Sequence, residues 1–197
     1  MELLAAHRKA LAGFDGVVET ISDDDWPKPT PCTEWTVRDL LNHLVYEQLW
    51  VPDLLSGATT AEIGDRYDGD VLGDDPIGRW RQTSQAAREA WLAPGALERE
   101  VNLSYGAVPA THYAWEMTAD LAVHAWDLAQ GIKAQSPLDN ELAETLLPRF
   151  EGQVDQWQGL GIFAPPVPVP DTASAPDRLL ALSGRDPGYP AAGAGGG

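Results

Sequence analysis

The sequence predicts an all-α protein built on a four-helix bundle, and three observations carry that expectation. Four long stretches repeat apolar residues every three to four positions, one short segment alternates as a strand would, and a proline-rich arm near the end can be neither. The 197 residues fit a single domain, expected to span 1–187. Residues 188–197 are expected to form a disordered tail, because "YPAAGAGGG" has nothing to pack.

The first helix, residues 2 to about 21, carries a stripe at Leu4, Leu11, Phe14, Val18 and Ile21, with His7 in the same stripe. Pro27, Pro29 and Pro31 then forbid helix and force an extended loop. A second helix begins near Thr33, with Thr33 or Thr36 as N-cap, and runs to a stop at Gly57 over a core stripe of Val37, Leu40, Leu41, Leu44 and Val51. Residues 58–73, rich in Gly and Asp, read as a loop. Asp75 as N-cap and Pro76 at the first helical position open a third helix that reaches about Leu92. The alternation and glycine of "REVNLSYGAV" predict a brief hairpin. A fourth helix follows from about Pro109 to Gln130 and ends at Gly131. A fifth, "PLDNELAETLLPRFEGQVDQWQ", is interrupted or kinked at Pro148. Pro165, Pro166, Pro168 and Pro170 make the next segment extended, and a short last helix around "APDRLLALSG" packs through Leu179, Leu180 and Leu182.

Charge narrows the function classes. The 30 acidic against 13 basic residues give a net charge of -17, spread along the chain, which repels phosphate backbones and anionic lipid. No nucleic acid and no membrane are therefore expected as partners. Cys32 is the single cysteine, so no internal disulfide forms. The N-terminus lacks the unbroken apolar stretch of a signal peptide, and no window approaches 18 or so apolar residues. A cytoplasmic protein is the expectation.

The fourth helix holds the chemistry. His112, Glu116, Asp120 and His124 form a ladder at four-residue spacing, and Asp127 falls between Glu116 and Asp120 in projection. The plain alternative is a helix showing water its one polar face. Against it, residues 107–130 contain no Lys or Arg, whereas solvated faces mix both signs. Carboxylates and imidazoles without counter-charges are what a divalent cation neutralises, and Asp120 with His124, four apart, project toward one point. His43, beside Leu40 and Glu47 at the margin of the second stripe, reads either as a third ligand or as a packing histidine; periodicity leaves both open.

The segments "TPCTEWTVRDLLNHLV", "DLAVHAWDLAQG" and "FAPPVPVPDTASAPDRLLALSGRDP" together resemble the metal-binding proteins of the mycothiol-dependent maleylpyruvate isomerase N-terminal type, in the DinB-like superfamily. The resemblance covers about residues 2–187. It implies a DinB-like four-helix bundle with a divalent metal near one end, held by His43, Asp120 and His124. Related proteins often carry Glu or His where Asp120 stands.

Three protein ligands leave a coordination position for water or substrate, the arrangement of catalytic zinc; nickel and ferrous iron also suit two histidines and a carboxylate. In the enzymes this chain resembles, the metal binds a low-molecular-weight thiol such as mycothiol, whose thiolate attacks a small electrophile in isomerase or S-transferase chemistry. Glu116 and His112 are candidate catalytic residues as proton donors, acceptors or substrate orienters, with an exposed polar margin as the alternative for His112. Asp127 reads as an acceptor fixing the tautomer of a ligand histidine or as a bond to another helix. Cys32, before the positive end of the second helix, reads as packing ahead of nucleophile, and Trp35, Trp115 and Trp126 as core or pocket-lining aromatics. The rival function is a non-catalytic metal- or small-ligand-binding helical bundle, possible also as a homodimer; an acid-faced scaffold with no metal is the third.

Overall fold

The structure, a computed structural model, describes residues 1–159 and 164–189. These residues form α1 (Leu3–Val18), α2 (Val37–Leu55), α3 (Thr60–Ile63), α4 (Pro76–Leu92), β1 (Glu100–Leu103), β2 (Gly106–Pro109), α5 (Ala110–Ile132), α6 (Asn140–Gly159) and α7 (Ala175–Leu182). Two compact units result: Met1–Val37 with the chain from Ala119 onward, and Arg38–Thr118. Residues 190–197, most of the expected tail, lie outside the described residues. No described helix is long and apolar enough to cross a membrane.

In the first unit, α1 and α7 pack on α6. Ala10, Phe14 and Val18 of α1, Leu142, Leu146 and Phe150 of α6, and Leu179 and Leu180 of α7 are buried, each set at the spacing that lines one helical face. Leu4 departs from the expected stripe and is 38% exposed. The buried face runs instead through Ala6 and His7. α1 also stops three residues before Ile21, where Asp25 accepts from the backbone and hydroxyl of Ser22 and closes a short 3₁₀ turn at Asp23–Asp25.

His7 has an acid-stability consequence. Burial lowers its pKa from 6.5 to about 4. Between those values the unfolded chain takes up a proton that the native chain refuses, so stability is full above pH 6.5 and falls as pH drops toward 4, by about 3 kcal/mol in all. His7→Leu is expected to flatten that part of a plot of urea midpoint against pH. An unchanged slope would assign the acid loss to other groups.

The prolines after α1 do not produce a through-running extended loop. Pro29 bridges Thr36 in antiparallel fashion, Thr30 donates from its amide and hydroxyl to the Trp35 carbonyl at 3.0 and 2.9 Å, and the Val37 amide donates to the Lys28 carbonyl. A tight loop closes, with Cys32 and Trp35 on it, and α2 starts at Val37 directly after Thr36. Gly131 is not where α5 ends. A Cβ there would stand 3.1 Å from the methyls of Thr30 and Val37 and 3.3 Å from the Pro29 carbonyl, so glycine lets this loop rest on the helix. The helix stops at Lys133, which adopts φ +60° while the Ala134 amide reaches back to the Ala129 carbonyl, the six-to-one bond of a Schellman ending. Pro148 lies within a continuous α6.

The extended arm is tied to α7 by the Val167 amide donating to the Ala181 carbonyl, and the Ser174 hydroxyl caps that helix by accepting from the Asp177 amide. After α7, Gly184 has φ +78°, and a Cβ would sit 2.7 Å from Ala164. Only glycine fits there, and the turn it makes brings the Arg185 amide onto the Leu180 carbonyl.

In the second unit, Leu40, Leu41, Leu44 and Val51 of α2 are fully buried, as expected. The segment 58–73 is not all loop. It contains the single turn α3, closed by the Thr59 hydroxyl and the Glu62 carboxylate in a reciprocal cap that a Thr-x-x-Glu spacing encodes. Asp75 accepts from the Gly78 amide and caps α4, which buries Trp80 and Trp91. β1 and β2 pair antiparallel with Leu103 opposite Gly106, leaving Ser104 and Tyr105 at the tip.

Candidate metal centre

The first unit gathers Asp120, His124 and Asp127 of α5 with Trp35 and Cys32 of the proline loop and Arg185 beyond α7. His124 is buried, and Nδ1 stands 2.9 Å from Asp127 Oδ2 while Nε2 stands 3.3 Å from Asp120 Oδ1. The Trp35 ring stacks on the imidazole at 5.9 Å between centroids and 25° between planes, which fixes the plane of the ring. The face of α5 that carries these groups is thus not a solvated one.

Asp127 is wholly buried, a costly position for a charge unless it is paired. Arg185 supplies the pairing: Nη2 lies 3.0 Å from Oδ2 and Nε 3.4 Å from Oδ1, while Nη1 donates to the Ser183 carbonyl. Burial works against the Asp127 carboxylate, but the His124 hydrogen bond and the charge of Arg185 outweigh it and hold its pKa below the usual value. Asp127 therefore makes both contacts open in the sequence, one to His124 Nδ1 and one to another element. Arg185 was not legible as a site residue. Its one sequence signal is the Leu-Ser-Gly-Arg run, where a glycine ends a helix and redirects the next side chain.

With Nδ1–H given to Asp127, the lone pair that neutral His124 carries at Nε2 faces an oxygen of Asp120. Two acceptors at 3.3 Å repel unless a proton or a cation lies between them. Burial alone would lower the His124 pKa, but Asp120 and Asp127 raise it to about 9, so the imidazole takes up a proton when nothing else neutralises the pair. The spacing also suits a metal: ligands about 2.1 Å from zinc at a tetrahedral angle stand about 3.4 Å apart.

Cys32, His124 and Asp127 also bring ligand atoms within 4.8 Å of one another. That group fits a cation poorly, because Arg185 already places its charge there, with Nη2 3.9 Å from Cys32 Sγ. Burial raises the Cys32 thiol to about 11, the opposite of activation by a helix end; Cys32 lies five residues before α2 begins.

In the second unit, His43 is half-buried on α2. Glu116 and His112 are paired with each other, His112 Nε2 to Glu116 Oε1 at 3.2 Å, and both Glu116 oxygens lie within 2.8 Å of the Tyr105 hydroxyl at the hairpin tip.

The family model described as the mycothiol maleylpyruvate isomerase N-terminal domain matches residues 7–129. The chain belongs to this family. Within the mycothiol maleylpyruvate isomerase N-terminal family, it is 33% identical over 191 residues to an uncharacterized protein of Mycobacterium tuberculosis, Rv0738 in strain H37Rv and MT0763 in strain CDC 1551, covering 94% of this chain and 98% of the relative. Two crystal structures of a mycothiol-dependent maleylpyruvate isomerase, one of them an alanine mutant of a histidine, share the fold. Their TM-scores are 0.61 and 0.65 at 17% and 18% identity, over 82% of this chain and 73% of theirs. The mostly helical, DinB-like fold expected from the sequence is the fold of this family member. Arg185 lies beyond the segment that the family model matches.

Proposed function

We propose that this chain holds a divalent cation through His43, Asp120 and His124 and acts, with a low-molecular-weight thiol such as mycothiol, on a small electrophile in the manner of a thiol-dependent isomerase. The observation that carries this reading is the opposition of His124 Nε2 and Asp120 Oδ1 at 3.3 Å, with Nδ1 already committed to Asp127. Family membership and the matching motif support His43 as the third ligand. Two nitrogens and one carboxylate suit zinc best, and nickel or ferrous iron are the other metals this set accepts.

A cation in that position lowers the pKa of a thiol so that thiolate is present at neutral pH. The protein's own groups do the rest. Asp127, backed by Arg185, holds His124 in the Nδ1–H tautomer and aims Nε2. Trp35 covers the imidazole face and keeps water from it. Glu116 and His112, one and two turns before Asp120 on α5, are the groups proposed to take and return protons. A soluble, cytoplasmic setting accords with this chemistry.

The test is isomerisation of maleylpyruvate by metal-loaded protein, with and without mycothiol. Thiol-dependent turnover that His43→Ala and His124→Ala both lose is the expected result. Stoichiometric metal with no turnover would instead favour the non-catalytic binding bundle, and S-conjugate without isomer would favour transferase chemistry.

A further inference from the structure

Three of the less exposed carboxylates are met by a fixed positive charge: Asp25 by Lys28, Asp53 by Arg66 and Asp127 by Arg185. Glu116 is different. Its side chain is only 22% exposed, and the groups that meet it are a phenol and an imidazole, both able to exchange protons. The Tyr105 hydroxyl straddles the carboxylate at 2.8 Å from Oε1 and 2.7 Å from Oε2, but its single proton serves one oxygen at a time. When it serves Oε1, which His112 Nε2 also faces at 3.2 Å, Oε2 keeps its lone pairs for an incoming proton.

The sequence of the hairpin explains how Tyr105 comes to be there. Leu103 and Gly106 form the last pair of the β-ladder, and Gly106 takes φ +130°, so the two-residue tip turns its tyrosine back along the first turns of α5. Burial, followed by the Glu116 hydrogen bond, raises the Tyr105 pKa, which keeps the phenol a donor. Glu116 lies one helical turn, about 6 Å along the axis, before Asp120.

We propose that Tyr105 is a positioning residue that fixes Glu116 as the acceptor of the thiol proton. The proposal rests on the thiol-dependent reading above. In the step concerned, the S–H bond of the thiol breaks, its proton forms an O–H bond with the free carboxylate oxygen of Glu116, and the electron pair stays on sulfur for attack on the electrophile. The proton returns from Glu116 to product or thiol at the end of the cycle.

The test compares zinc-loaded wild type, Tyr105→Phe, Glu116→Gln and the double variant, using mycothiol and maleylpyruvate as probes. Tyr105→Phe is expected to lower kcat about tenfold, the worth of one hydrogen bond, with KM for mycothiol, zinc content and Tm unchanged. Glu116→Gln is expected to lower kcat about a hundredfold or more. The double variant should be no slower than Glu116→Gln alone, because Tyr105 acts through Glu116. In metal-free protein the carboxyl carbon resonance of Glu116 should move on Tyr105→Phe, a readout independent of turnover. A Tyr105→Phe enzyme within twofold of wild type, or losses that multiply in the double variant, would overturn the positioning role and leave the metal–thiol reading standing. An inert wild type would remove both.

Discussion

Asp127→Ala is expected to destabilise the protein by about 3–5 kcal/mol, the usual result of removing one partner from a buried ion pair. The reason is what remains. The Arg185 side chain, 9% exposed, would keep its charge with no carboxylate beside it, and His124 Nδ1–H would lose its acceptor. Urea unfolding at neutral pH measures the loss; a change under about 1 kcal/mol would show that the pair is relaxed by water. The charge itself is not what the fold needs. Replacing both partners with apolar residues, Asp127→Leu with Arg185→Met, is expected to recover most of the lost stability, since the desolvation penalty disappears along with the attraction. Metal affinity should not recover in that double variant, because its loss follows the orientation of His124. The two readouts therefore separate packing from function.

Metal binding should register as stability. A cation that binds only the native chain, present at a thousandfold above its Kd, raises the unfolding free energy by about 4 kcal/mol. His124→Ala is expected to abolish that increment and the stoichiometric metal with it. Arg185→Met, which leaves the proposed ligands in place, is expected to weaken affinity by roughly 10–100-fold, the range for residues that orient a ligand. Chelator titration followed by thermal unfolding measures both. Identical melting of wild type with and without chelator would leave α5 with a polar cluster neutralised by protons alone.

The parts of the molecule legible in the sequence are those governed by neighbours along the chain. Asp75 before Pro76 marks the start of α4 because a cap and a proline act within one turn, and the stripe of α2 follows from its repeat. Asp120 and His124 were legible as a pair for the same reason. Gly131 was misread as a stop because the same residue type serves for a chain end and for close packing, and the distinction lies in Thr30 and Val37, about a hundred residues away. Leu4 illustrates the limit of periodicity: two apolar residues in one turn compete for the buried face, and packing on α6 favours Ala6 and His7. The contacts of Arg185 with Asp127 and of Tyr105 with Glu116 were invisible because only folding makes them.

The turn at Gly184 sets an order of events during synthesis. Asp127 emerges from the ribosome 58 residues ahead of the guanidinium that neutralises it. Until Arg185 follows it out, α5 carries a carboxylate that the interior cannot accept, so the helix must stay solvated or borrow a proton. A fragment trimmed to the family-matched stretch would keep the proposed ligands and still lack the counter-ion that lets them settle.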